Sequence, residues 1–175
     1  MSDLAYPIGK FTWSGPGSAP DRARHIAEIA AAPAALRVAV TGLSDSQLET
    51  PYRPGGWTVR QVAHHVPDSH LNAYVRFKLA VTEDTPTIKP YDEAAWAELA
   101  DVKTVPVATS LALLEAVHER WVAFLSSLSE SDWKRTFRHP ELGVVPLDKN
   151  LALYAWHGRH HVAHVTSLRE RMGWG

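Results

Sequence analysis

Apolar residues recur at helical spacing in four long stretches of the chain, separated by breaks rich in proline, glycine and serine. The first stretch, Asp21 to about Val40, is dominated by alanine, the strongest helix former. Ile26, Ile29, Leu36, Val38 and Val40 are its larger apolar positions, and Pro33 in its middle predicts a kink. The second, Val59 to about Val81, follows Thr58, a suitable N-cap. It carries Val62, Val66, Ala73, Tyr74, Phe77, Ala80 and Val81 on one side. Pro67 has no N–H for the Ala63 carbonyl and disfavours helical backbone at Val66, which predicts a bend beside His65. The third, Leu111 to about Leu128 with Thr109 and Ser110 as caps, presents Leu113, Leu114, Val117, Trp121, Phe124, Leu125 and Leu128 as its buried face. The fourth runs from Leu147 to about Met172. Pro146 and Asp148 suit its start, Arg169 and Arg171 its negative end, and Gly173 the residue just past it.

The connecting segments are predicted from their breakers. Residues 1–20, with Pro7, Gly9, Gly15, Pro16, Gly17 and Pro20, read as an arm on the surface. Short helical turns are expected at Asp45–Leu48, within Tyr91–Val102 around Trp96 and Leu99, and at Ser129–Trp133. A small hairpin is expected from Thr136 to Pro146, around Pro140 and Gly143. No repeat is present. Four amphipathic stripes in one chain are most simply buried as an all-α, antiparallel four-helix bundle, and 1–175 reads as one domain.

Charge narrows the range of partners. Eighteen Lys and Arg stand against nineteen Asp and Glu, a formal net charge of −1, with no long run of either sign. That leaves no electrostatic footprint for nucleic acid or an anionic membrane surface. No apolar run approaches the ~20 residues a bilayer span requires, and the N-terminus lacks a signal pattern. A soluble, cytoplasmic protein is expected. Cysteine is absent, so the chain offers neither a disulfide nor a thiolate ligand or nucleophile of its own.

Histidine supplies the candidate chemistry. His157, His160, His161 and His164 lie on one stripe of the fourth helix, continued by Leu147, Leu151, Tyr154, Val165, Leu168 and Met172. His64, His65 and His70 form a second cluster with Asp68. Two imidazoles one helical turn apart grip a single ion well. Four imidazoles on an inward face would otherwise need hydrogen-bond partners for every nitrogen, and a structural network of that kind is the competing reading. His160 and His164 are the preferred pair on the last helix, with a third ligand from His64 or His65. His65 is chosen because it shares a face with Val62, Ser69, Asn72 and Arg76, whereas His64 falls closer to the Arg60 and Gln61 side. Three neutral histidines leave one position of a divalent ion open, as at catalytic zinc, and imidazole also suits nickel or iron. Two reaction classes follow: hydrolysis by metal-bound hydroxide, or attack by the metal-bound thiolate of a cosubstrate. HExxH is absent, which argues against a metalloprotease.

The stretch Tyr52-Arg53-Pro54-Gly55-Gly56-Trp57-Thr58-Val59-Arg60-Gln61-Val62-Ala63-His64-His65 resembles the DinB/YfiT-like family. So do Asp68 to Lys78, Arg138-His139-Pro140, His160-His161-Val162-Ala163-His164 and Arg171-Met172-Gly173-Trp174. The similarity runs along essentially the whole chain, from Tyr6-Pro7-Ile8-Gly9 onward. It implies a four-helix bundle, usually a homodimer, with one divalent ion, zinc or nickel, on His65, His160 and His164. It further implies a metal-dependent hydrolase, or a thiol S-transferase that joins a bacillithiol-type low-molecular-weight thiol to a small electrophile. A non-enzymatic metal-binding protein is the remaining alternative. Asp68, Asn72 and Arg76 match a shared motif and are the candidate catalytic residues, with Asp68 suited to orient a ligand imidazole and Arg76 to recognise a carboxylate.

Overall fold

The computed structural model describes residues 3–175. Seven α-helices are found among them: α1 Ala19–Val40, α2 Asp45–Leu48, α3 Val59–Thr82, α4 Glu93–Trp96, α5 Ala100–Thr104, α6 Val107–Ser126 and α7 Leu147–Met172. A two-stranded antiparallel hairpin, β1 Thr136–His139 and β2 Gly143–Pro146, precedes α7. The four long helices form the expected four-helix bundle, but two of its neighbouring pairs run parallel rather than antiparallel. None of the described helices is long and apolar enough to cross a membrane.

Capping explains where the helices begin. Ser18 and Asp21 close a reciprocal capping box at the start of α1, and Thr58 and Gln61 do the same for α3. At the other end of the chain, Gly173 takes up φ 65°, the left-handed conformation that terminates α7. Pro33 and Pro67 lie inside α1 and α3, and both helices are continuous through them. The third long helix departs from expectation at its start. It begins at Val107, directly after Pro106, so Thr109 and Ser110 lie inside it rather than capping it. Ser110 Oγ instead stands 2.7 Å from His64 Nδ1 and ties that ring to the third long helix. The buried face is rotated too: Leu113 is exposed, and His118 is buried in its stead.

Helix directions are fixed by which residues meet. Arg22 pairs with Asp148 and Arg169 with the Ala39 carbonyl, so α1 and α7 run the same way. His64 meets Ser110, and Phe77 packs on Trp121, so α3 and α6 are also parallel neighbours. The two pairs oppose each other, with Ser69 near Tyr154 and His65 near His161 across α3 and α7. Two parallel neighbours need a return crossover, and residues 83–106 provide it. The crossover carries α4 and α5 back along α3, with Ile88 hydrogen-bonded to Arg138 of the hairpin and Gln61 reaching the Ala97 carbonyl.

Apolar packing divides into two clusters. One holds Ile29, Phe77, Trp121, Trp133, Phe137 and Leu151; the other holds Leu36, Val40, Val59, Val62, Leu114, Val165 and Leu168. Histidines of three of the long helices gather where the two clusters meet: His65 and His70 on α3, His118 on α6, His157 and His161 on α7. Each fully buried large apolar side chain contributes roughly 1.5–3 kcal/mol, and the two clusters clamp the polar layer from both ends. Gly158 permits the close approach of α1 and α7, since a Cβ there would stand 3.0 Å from the Ala32 Cβ.

Candidate metal centre

Three imidazoles converge at the bundle axis. His65, His157 and His161 each offer a ring nitrogen, and these atoms all lie within 4.8 Å of one another. His65 Nε2 is 3.4 Å from His157 Nε2. Two nitrogens at tetrahedral positions ~2.05 Å from a zinc-sized ion stand about 3.3 Å apart, so this edge already has the length that a shared ion requires. Burial pushes the His65 imidazole down to about 4 and those of His157 and His161 well below their usual range. All three are thus neutral at pH 7 with lone pairs available, the form that binds a metal. The donor set fits a divalent ion.

The surroundings hold this arrangement. Trp57 packs its ring at 4.7 Å from His65 and lies parallel to His161 at 6.5 Å. His157 Nδ1 lies 3.0 Å from His70 Nε2, and His70 Nδ1 lies 2.8 Å from His118 Nε2. On the far side, His161 Nδ1 is 3.4 Å from His164 Nδ1, and His164 stacks on Tyr52 at 3.9 Å.

Two histidines expected as ligands, His160 and His164, are not in the converging group. Three residues along a helix turn it by about 60° short of a full revolution, so this pair sits on the neighbouring edge of the stripe and faces the arm. His160 stacks on Trp156 at 4.2 Å and lies against Tyr6, while His164 Nε2 is 3.2 Å from the Ala5 carbonyl oxygen. His157 and His161 occupy the edge that faces α3. Of the upstream pair, His65 enters the group and His64 does not.

The centre opens onto a cleft of ≈ 370 Å³ whose walls include Tyr6, Tyr52, Arg53, Glu93, Trp156 and His160. Arg53 gives one hydrogen bond to the Pro54 carbonyl at 3.1 Å, and its buried Nε has no partner among the described residues. Glu93, delivered by the crossover, is the carboxylate of this cleft, and partial burial raises its pKa, with Asp92 adding to the rise. Asp68, Asn72 and Arg76, the expected catalytic candidates, do not line it. Asn72 caps the Asp68 carbonyl on the same helix, and Asp68 lies close enough to Asp101 for the two charges to interact.

Residues 28–165 match the model of the DinB superfamily. The chain belongs to that superfamily. Among its relatives, proteins from Bacillus mycoides and Bacillus anthracis are 56% and 55% identical over 174 residues, which is 99% of this chain and 100% of theirs. Both carry provisional names as metal-dependent hydrolases. YfiT from Bacillus subtilis, provisionally described in the same way and as a four-helix bundle of unusual topology, superposes with a TM-score of 0.96 at 50% identity. That match covers 98% of this chain and 99% of YfiT. The four-helix bundle protein TT2238 shares the fold at 20% identity, with a TM-score of 0.59 over 83% of this chain and 98% of its own.

For this DinB chain, three residues of the site carried no role in the sequence reading. His118 was recognisable from its place one turn after Leu114 and one turn before Trp121, on the buried side of α6. Arg53 lies within the Tyr52–Trp57 run that carries the resemblance. Glu93 sits in an irregular crossover, where no periodicity predicts which way a side chain faces.

Proposed function

We propose that this DinB-superfamily chain is a metal-dependent thiol S-transferase. In this reading His65, His157 and His161 hold one divalent ion, zinc or nickel, and a low-molecular-weight thiol of the bacillithiol type is joined to a small electrophile in the cleft above. The observation that carries the reading is the convergence of three neutral imidazoles at the floor of an open cleft with the cation Arg53 on its wall. A divalent ion so held lowers the pKa of a thiol or water brought to it. The chain has no cysteine, so the sulfur comes from a cosubstrate.

The chain's own residues then divide the work. Arg53, on the cleft wall, anchors a carboxylate of the thiol through its guanidinium. Glu93 takes the S–H proton. The sulfur forms a bond to the electrophilic carbon as that carbon's bond to its leaving group breaks, and the leaving group departs with the electron pair. Trp57, Trp156 and Tyr52 supply apolar walls that exclude water from the reacting atoms.

Glu93 also favours a second reading, hydrolysis, in which it takes a proton from water and an ester or amide is cleaved without any thiol. The test is conjugation of bacillithiol to a bimane acceptor by zinc- or nickel-loaded protein, with Glu93→Gln and Arg53→Ala beside it. Thiol-dependent conjugation well above the metal-free control, lowered in both variants, is expected. No conjugation in any metal-loaded sample, together with thiol-free cleavage of esters, overturns the transferase reading and leaves the hydrolase.

A further inference from the structure

The imidazoles behind the centre form two chains, and each chain ends on a backbone carbonyl. The longer runs from His157 Nδ1 to His70 Nε2, from His70 Nδ1 to His118 Nε2, and from His118 Nδ1 to the Ile29 carbonyl oxygen at 2.8 Å. The shorter runs from His161 Nδ1 to His164 Nδ1, and from His164 Nε2 to the Ala5 carbonyl oxygen.

A carbonyl oxygen only accepts. His118 therefore carries its proton on Nδ1 and, as a neutral ring, accepts at Nε2. His70 must then donate from Nδ1 and accept at Nε2, which makes His157 the donor at its own Nδ1. Three neutral rings supply three protons to three hydrogen bonds. What remains is the bare lone pair on His157 Nε2, the atom that faces His65. The shorter chain works in the same way. His164 donates from Nε2 to Ala5, so its Nδ1 accepts from His161 Nδ1–H and His161 Nε2 is left bare.

Local sequence explains why the longer chain has an anchor. In an α-helix the Ile29 carbonyl would accept from the N–H four residues on. That residue is Pro33, which has none. The carbonyl is thus free to take the His118 proton within a buried layer where His70 is 0% and His118 2% exposed. A charged ring there would be costly, because among the described residues no carboxylate is hydrogen-bonded to any of these rings.

We propose that His118 and His70, acting through His157, and His164, acting through His161, are positioning residues that lock both ligand imidazoles as Nδ1–H tautomers with Nε2 bare toward the centre. The direction of the longer chain is set by the carbonyl that Pro33 leaves free. This rests on the three-histidine centre and is independent of which reaction occurs there.

The test is the tautomeric state of each histidine in chelator-treated, 15N-labelled full-length protein, read from two-bond proton–nitrogen correlations at neutral pH. His70, His118, His157 and His161 are expected as Nδ1–H and His164 as Nε2–H; a proton on Nε2 of His70, His118 or His157 overturns the proposal. His118→Leu removes the acceptor for His70. It should turn His157 into a mixture of tautomers and weaken zinc binding about 10–100-fold in competition with a chromogenic chelator. His118→Gln, whose amide offers a donor to Ile29 and an acceptor to His70, should recover most of that loss. A folded His118→Leu protein with an unmixed His157 tautomer and unchanged zinc affinity contradicts the proposal. If His118→Leu does not fold, the wild-type spectrum decides the matter. Neither readout involves turnover, so failure of the transferase assay leaves this result standing.

Discussion

His157 and His161 look across the bundle at α3, while His160 and His164, on the next edge of the same stripe, look at the N-terminal arm. All four are histidines, all lie within two helical turns, and all border one cleft. About 60° of helix rotation separates the pairs, and it gives them different work. The inner pair converges with His65. The outer pair is taken up by aromatic stacking and a backbone carbonyl: His160 on Trp156, His164 on Tyr52 and Ala5. Residue identity and density point to a site, but the phase of the helix decides which imidazoles converge.

The sharpest way to break this comparison is to truncate one member of each pair. His157→Ala or His161→Ala removes a ligand nitrogen and is expected to weaken zinc or nickel binding by about 100-fold or more, beyond the ~10–100-fold typical of supporting groups. His160→Ala should change affinity by no more than about threefold, since its ring does not reach a nitrogen of the converging group as His164 reaches His161. Isothermal titration of the metal-free proteins reads both. A large loss in His160→Ala with a small one in His157→Ala would reverse the assignment.

The outer pair should itself divide. His164 bears on the centre through His161, so His164→Ala is expected to weaken metal binding about 10-fold, between the inner pair and His160. Equal effects of His160→Ala and His164→Ala would contradict the shorter chain.

A smaller effect tests the spacing that puts the inner pair in place. In Gly158→Ala the new methyl meets Ala32 at 3.0 Å between two helices that cannot easily part. Overpacking of this kind costs about 1–3 kcal/mol, and the gain in helix propensity offsets about 1 kcal/mol of it. A net loss of about 1 kcal/mol is expected, a fall of roughly 2–4 °C in Tm for a domain of this size. A higher Tm would show that α1 and α7 have slack at this point.

The smallest effect separates Asp68 from the centre. Burial, with Asp101 adding to it, pushes its carboxyl up to about 6. Between the unfolded value near 4 and the folded value near 6, the folded protein binds more protons than the unfolded one. Stability contributed by this residue is therefore present at pH 4 and lost as pH rises through 6. Asp68→Asn should remove that decline, raising stability at pH 7 relative to pH 4 while leaving metal affinity unchanged. Urea titrations at the two pH values read the first, and an affinity loss comparable to that of His157→Ala would return Asp68 to the site.

Much of the architecture was legible from single residues. Thr58, Pro146 and Gly173 marked helix ends, and the apolar stripes of α3 and α7 predicted the bundle and the inward course of His65. The phase of α7 was not legible, because apolar residues flank both edges of its histidine stripe and only the packing partner distinguishes them. Helix direction was likewise hidden. An amphipathic stripe specifies what is buried but not which neighbour covers it, and the parallel pairs α1/α7 and α3/α6 depend on where the crossover goes. Pro33 was read as a kink. Its larger consequence, a freed carbonyl at Ile29, needed α6 beside it to become visible.

The most direct test of the central claim is an anomalous-difference map, at the zinc or nickel edge, from crystals of the metal-loaded protein. One peak is expected ~2.0–2.1 Å from ring nitrogens of His65, His157 and His161, with His160 still stacked on Trp156. A peak bonded to His160 or His164 in place of His157 and His161 would contradict the account.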